Sequence, residues 1–125
     1  MIHKNDYFQK LLTVFDNCHK IMGDKNADYS SDTDPFSNFK IVEALGVCTT
    51  EQGMIARITD KLSRLSKLLH PNSKGAKVKD ESVDDTIMDQ INYLCILLVY
   101  LQHKREKAEE DAAALKEDDT GSSGK

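Results

Sequence analysis

Apolar side chains recur at intervals of three and four residues along most of the chain, which is the spacing of one face of an α-helix. The first such stretch begins after Asn5 or Asp6, either of which can cap a helix, and reaches about Met22, where Gly23 is a natural end. No stretch alternates apolar and polar residues as a half-buried β-strand does. The pattern therefore predicts an all-α fold, a bundle of about four helices.

A long loop is predicted between the first and second helices. Residues 24–36 have turn-forming composition and no apolar period. Loops of this length in a compact domain are usually functional or disordered, and the rings of Tyr29 and Phe36 argue against plain disorder. We therefore expect this N-proximal loop to contribute to a site.

Two further helices are predicted in the middle of the chain. A short one at 38–45 has Ser37 as its candidate cap and Gly46 as the residue after its last turn. The next begins at Thr49, which together with Gln52 fits a capping box. It carries a strong apolar stripe and ends before a loop rich in lysine.

The fourth helix is predicted to begin near Asp80, with acids in its first half and an almost unbroken apolar run in its second. At about 100° per residue, an apolar stripe is formed by Ile87, Ile91, Leu94, Leu98 and Leu101. The roughly opposite side carries Glu81, Asp85, Asp89 and Asn92, with Asp84 near the edge of the stripe. Because unpaired buried carboxylates are costly, acids at the margin of a core indicate a basic partner or a metal ion.

This helix also indicates self-association. Residues 93–101 are apolar around nearly the whole helix, and a domain of this size covers about half of such a surface. A homo-oligomer, a dimer or larger, is therefore expected; the alternative is that this is the central helix of the bundle. The helix is expected to continue to about Lys116, so residues 1–116 form one domain and 117–125 a disordered polar tail.

Length and charge narrow the possible partners. A chain of 125 residues forms one domain, and its net charge of −4 argues against binding to a nucleic acid duplex. A small phosphorylated ligand suits a local basic cluster better. The three cysteines have no metal-type spacing and indicate buried free thiols, and the apolar run is too short to cross a membrane. We expect a cytoplasmic protein with no membrane partner.

Three groups of residues can carry chemistry. The acids of the fourth helix can hold Mg²⁺, although the helix dipole favours acids near an N-terminus without any function. In the third helix, Arg57, Lys61 and Arg64 share a face that can bind phosphate, with Asp60 beside them; a solvated charged face is the alternative. The loop offers rings and polar groups for a nucleotide base, or for its own packing; these residues are Lys25, Asn26, Asp28, Tyr29, Phe36, Asn38 and Phe39.

Taken together, the segments resemble a phage and bacterial family of small all-α proteins associated with nucleotide modification, which is distantly similar to the MazG-type nucleoside triphosphate pyrophosphohydrolases. The matching stretches are 25–29 (KNADY), 34–39 (DPFSNF), 57–65 (RITDKLSRL) and 80–86 (DESVDDT), followed by Asp89 and Tyr93. The similarity spans about residues 10–101.

The resemblance implies a MazG-like bundle that binds a nucleotide. In MazG-type enzymes two acidic motifs on neighbouring helices bind Mg²⁺ for attack of water between the α and β phosphorus atoms. Glu81-x-x-Asp84 matches the second motif, which implies catalytic roles for Glu81 and Asp84 and metal ligation by Asp60, Glu81, Asp84 and Asp85.

The first acidic motif is absent, since the third helix offers Asp60 among cations. The sequence thus favours a Mg²⁺-dependent pyrophosphohydrolase acting on a (deoxy)nucleoside triphosphate, with Lys25, Arg57, Lys61 and Arg64 on the phosphates. The alternative is a non-catalytic phage protein that sequesters a nucleotide or a nucleotide immune signal.

Overall fold

A computed structural model describes the backbone of residues 1–29, 34–72 and 80–123, and the side chains of residues 1–25, 34–72 and 83–117. Its regular elements are all helical, which confirms the predicted fold class for the described residues. They are α1 (Lys4–Tyr29), α2 (Ser37–Ala44), α3 (Thr50–Leu68) and α4 (Asp80–Ser123). None of the described helices is both long and apolar enough to cross a membrane.

Helix α1 is longer than the sequence predicts. It passes through Gly23 and ends at Tyr29, so the first part of the predicted loop is helical. A glycine inside a helix costs only about 1 kcal/mol relative to alanine, which tertiary contacts readily offset. One such contact is on this extension, where the Lys25 ammonium group pairs with Asp89 of α4.

The starts of α2 and α3 are set by local hydrogen bonds. Phe36, and not Ser37, is the N-cap residue of α2. Its backbone N–H donates to Asp34 Oδ1 at 2.9 Å. The predicted capping box of α3 is confirmed, because Gln52 N donates to Thr49 Oγ1 at 3.1 Å and Thr49 N donates to Gln52 Oε1 at 3.0 Å.

Helices α2 and α3 pack closely through a turn at Gly46, whose φ of 75° confirms it as the residue after α2. A Cβ atom on Gly53 of α3 would lie 2.8 Å from Val42 Cγ2 of α2, so this contact requires a glycine. The buried side chains here include Phe39 and Met54, which are 3% and 1% exposed. The core of the first part of the chain is therefore centred on α2 and α3.

Helix α4 packs against the other helices mainly with residues outside its apolar stripe. Its polar side faces the other helices: Gln90 Nε2 donates to the Ile58 carbonyl of α3 at 3.0 Å, and Tyr93 contacts Phe39 of α2 edge to face. The apolar stripe is left open, with Ile87 38% and Leu94 49% exposed. The side of α4 that carries Asp89 and Asn92 therefore packs against the other helices, while Asp84 and Asp85 remain exposed.

The chain divides into two units, Met1–Leu94 and Cys95–Lys125. The second unit is the remainder of α4, which extends to Ser123, beyond the end expected near Lys116 and into the predicted polar tail. Within it Lys104 Nζ lies 5.9 Å from the centre of the Tyr100 ring. Leu98 and Val99 are 53% and 52% exposed.

Candidate ligand-binding site

Three helices of the first unit meet at the carboxylate of Asp89. Lys25 of α1 pairs with its Oδ1 atom. Lys61 of α3 donates to Oδ2 at 3.2 Å. The Asp89 side chain is 16% exposed, and those of Lys25 and Lys61 are 36% and 30% exposed. A single carboxylate on α4 therefore holds one cation from each of two other helices.

The charges of this cluster control the protonation of Asp89. Partial burial raises the pKa of the carboxyl, but the hydrogen bonds from Lys25 and Lys61 and their positive charges outweigh it, so the pKa lies below its ordinary value. Asp89 is thus a carboxylate at neutral pH. The Asp89 carboxylate holds the ammonium groups of Lys25 and Lys61 next to each other.

Two adjoining cavities run between α1 and α4 beside this cluster. One, of about 370 Å³, is lined by Ile21, Lys25, Asp85, Met88 and Asp89. The other, of about 290 Å³, is lined by Val14, Asn17, Asp84, Ile87 and Met88. They share Met88, and the larger one lies within the usual size range of small-molecule sites. The acids of α4 and a lysine of α1 therefore line two neighbouring cavities, together called the α1–α4 cleft.

Arg57 takes a different position from the one its sequence pattern suggested. Its guanidinium carbon lies 4.7 Å from the centre of the Phe39 ring, in cation–π geometry. The same ring meets Tyr93 with centroids 6.4 Å apart at 87°. Arg57 thus lies over an aromatic pair that connects α2 to α4, while Lys61, one turn later, reaches Asp89.

The structure brings some of the predicted site residues together and leaves others apart. Lys25, Lys61 and Asp85 lie at the α1–α4 cleft or its rim, and Asp84 lines the adjoining cavity. Asp60 and Arg64 are exposed and form no ion pair with the described residues. Their assignment to metal and phosphate stays a prediction.

The predicted base-binding residues are described only in part. Phe36 is 8% exposed, and Asn38 is half-buried at the start of α2. Just before them in the chain, Asp34 Oδ2 accepts a hydrogen bond from Lys40 Nζ at 2.9 Å. The side chains of Asn26, Asp28, Tyr29 and Glu81 lie outside the described residues.

The donor set of the cleft suits a hard cation only in part. Asp84 and Asp85 supply carboxylate oxygens, the ligands that Mg²⁺ prefers. Among the described side chains, no three acids, histidines or cysteines lie close enough together to hold a metal ion. Any metal ligation by Glu81 falls outside these side chains.

Asp89 belongs to the predicted acidic cluster but not to the metal ligands that the resemblance implies, and its pairing with two lysines was not predicted from the sequence. The signal was its position more than two turns inside the helix, where the dipole does not account for an acid. Nearby Asn92 is also buried, 2% exposed, and no described residue donates to its Oδ1 atom. Buried amide oxygens usually accept a hydrogen bond, so Asn92 Oδ1 is an acceptor left open on the inner side of α4 among the described residues.

Comparisons with protein-family models, with curated proteins and with solved structures find no match to this chain.

Proposed function

We propose that the α1–α4 cleft binds a nucleoside triphosphate together with Mg²⁺, as in a MazG-like pyrophosphohydrolase. The observation that carries this proposal is the convergence of Lys25 and Lys61 on Asp89 at the edge of an acid-lined cleft. Lysines held in place by a carboxylate are ready to bind a phosphate, since their ammonium groups are positioned before the ligand arrives.

The charges of the cleft favour a nucleotide that brings a cation. Lys25 contributes one positive charge to the lining, and Asp85 and Asp89 contribute two negative charges, so the lining is net negative. A free triphosphate would be repelled by this surface, and Mg²⁺ would reduce that repulsion because the ion can bind the carboxylates and the phosphates at once. Asp84 and Asp85, with Glu81 as the resemblance implies, would hold the metal.

In the catalytic form of this proposal, water hydrolyses the bond between the α phosphorus and the oxygen that bridges it to the β phosphorus, and the products are a nucleoside monophosphate and pyrophosphate. Bound Mg²⁺ would supply polarisation of the phosphate oxygens. Lys25 and Lys61 would bind phosphate oxygens and oppose the negative charge on the leaving group. Tyr29, Phe36 and Asn38 would hold the base.

A second function, nucleotide binding without turnover, is favoured by one specific observation. MazG-type enzymes place acids on the helix next to the Glu-x-x-Asp motif, but here α3 directs the Lys61 ammonium group to Asp89. In this form the acids of α4 orient the bases that neutralise the phosphates. Such a protein would sequester a nucleotide, including a nucleotide immune signal.

A panel of nucleotides tests both forms. The purified chain is mixed with each ribo- and deoxynucleoside mono-, di- and triphosphate, with Mg²⁺ or with EDTA, and its melting temperature and pyrophosphate release are measured. Pyrophosphate release that needs Mg²⁺ and is lost in Glu81→Ala and Asp84→Ala supports the enzyme. Stabilisation by a nucleotide that is recovered intact after denaturation supports the binder. If no nucleotide raises the melting temperature and none releases pyrophosphate, both forms are wrong.

We also propose that the chain is a cytoplasmic homo-oligomer. Exposed apolar residues occur on α1 and α4 of the first unit, including Phe15, Leu12 and Leu94 at 64%, 56% and 49% exposure. Contiguous apolar surface of this kind is rare on monomers. The three cysteines are free thiols, but only Cys18 is buried as expected, since Cys48 is half-buried and Cys95 is exposed. A reducing compartment would maintain the exposed thiol.

A further inference from the structure

The second unit is the C-terminal part of α4, from Cys95 onward. All its side chains from Leu101 to Glu117 are exposed. Isolated helices of this length are marginal in water unless another helix covers one face. One face of this segment is therefore expected to pack against another helix.

Its sequence contains a heptad repeat. Six positions, apolar except for one arginine, recur at alternating spacings of three and four residues, which are the a and d positions of a coiled coil. These positions are Leu98, Leu101, Arg105, Ala108, Ala112 and Leu115. Leu98, Leu101 and Leu115 are 53%, 37% and 67% exposed, so the seam is uncovered in a single chain.

We infer that residues 98–116 form a parallel, in-register coiled coil with the same segment of a second copy of this chain. The charges beside the seam carry the inference. In a parallel pair each g residue faces the e residue five positions later on the other helix. The g and e positions here pair Lys104 with Glu109 and Asp111 with Lys116, so both contacts join opposite charges. A two-fold axis makes four such pairs.

An antiparallel pair is less favourable. If Arg105 faces Ala108 of the other helix, opposite charges meet only at Lys104 and Asp111, and Glu109 faces Gln102. An antiparallel pair therefore has two contacts of opposite charge, against four in the parallel pair.

Arg105 is the polar residue of the seam. It occupies an a position, and its Nε donates to the Leu101 carbonyl of its own helix at 3.2 Å. Polar residues at single a positions lower the stability of a coiled coil while fixing its register and limiting it to two strands. The seam is thus suited to a dimer of moderate affinity.

This inference rests on the proposed homo-oligomer but not on the nucleotide, and sedimentation equilibrium of the full chain tests it. The wild type should sediment as a dimer. Lys104→Glu and Glu109→Lys each place like charges across the seam, and each should raise the dimer dissociation constant at least about tenfold. Their equimolar mixture should recover the wild-type constant, because every pair in the heterodimer is again of opposite charge. Lys107→Glu, the same charge change at an outward-facing c position, should have little effect.

A variant that should form a tighter dimer provides a second test, because misfolding would not lower the dimer dissociation constant. Arg105→Leu fills the seam and should lower the dissociation constant at least about tenfold, whereas Lys107→Leu should not. If the wild type is a monomer, both this inference and the homo-oligomer proposal are wrong. If it is a dimer that neither Lys104→Glu nor Glu109→Lys weakens, or if their mixture stays as dissociated as each alone, only the coiled coil is wrong. The nucleotide panel on the same variants reports on the cleft separately.

Discussion

Lys61 Nζ lies 3.2 Å from Asp89 Oδ2, which ties the basic face of α3 to the inner side of α4. Lys25 of α1 meets the other oxygen of the same carboxylate. One acid therefore takes part in holding three helices together and in placing two cations at the rim of the α1–α4 cleft. Structural and functional consequences of changing it can be separated by experiment.

The first prediction concerns stability. Asp89→Asn should lower the free energy of unfolding by about 1–2 kcal/mol, because Lys25 and Lys61 lose their charged partner while remaining partly buried. Urea denaturation at neutral pH measures the difference. Asp60→Asn is the matched control: Asp60 is exposed and has no ion pair among the described residues, so its loss should cost under about 0.5 kcal/mol. Equal losses in the two variants would contradict the role given to Asp89.

The second prediction concerns pH. The folded-state pKa of Asp89 is lowered, so its contribution to stability is fully present above the unfolded-state pKa of about 3.9. That contribution is lost as the pH falls through the folded-state value. The stability difference between wild type and Asp89→Asn should thus be constant from about pH 7 to 5 and shrink below about pH 4. A difference that shrinks already between pH 7 and 5 would show that another group is responsible.

The third prediction uses two helical glycines. Gly23→Ala should stabilise the chain by about 0.5–1 kcal/mol, because a Cβ there meets nothing within 4 Å and alanine is the better helix former. Gly53→Ala should destabilise it by about 1–3 kcal/mol, because its Cβ would lie 2.8 Å from Val42 Cγ2. Thermal unfolding measures both.

Combining Gly53→Ala with Val42→Ala tests the origin of that cost. The double variant removes the clashing methyl group, so its loss of stability should be smaller than the sum of the two single losses. Additive losses would mean that the α2–α3 contact does not limit residue size at position 53.

The fourth prediction concerns ligand binding. Lys25→Met and Lys61→Met keep the aliphatic part of each side chain and remove its charge, so each should weaken binding of a stabilising nucleotide at least about tenfold. The increase in melting temperature with nucleotide concentration measures the affinity. Lys10→Met, on the exposed part of α1, is the control. Unchanged affinity in both cleft variants would show that the phosphates lie elsewhere.

Local signals in the sequence were sufficient for most helix boundaries. The capping box at Thr49 and Gln52 and the left-handed Gly46 depend on neighbouring residues, and both were predicted correctly. Gly23 was misleading because a helix end is a balance between small local preferences and distant contacts. The contact of Lys25 with Asp89, 64 residues along the chain, is invisible to local patterns.

The sequence by itself determined that the chain is helical, that α4 has an acidic side and an apolar side, and that cations line α3. Only the tertiary structure decided which side of α4 the rest of the chain covers. Periodicity shows which residues share a face of a helix, but it does not show which charged groups of other helices contact that face. Here Lys25 and Lys61 compensate Asp89, so the side of α4 with Asp89 and Asn92 packs inward while much of the apolar stripe remains exposed.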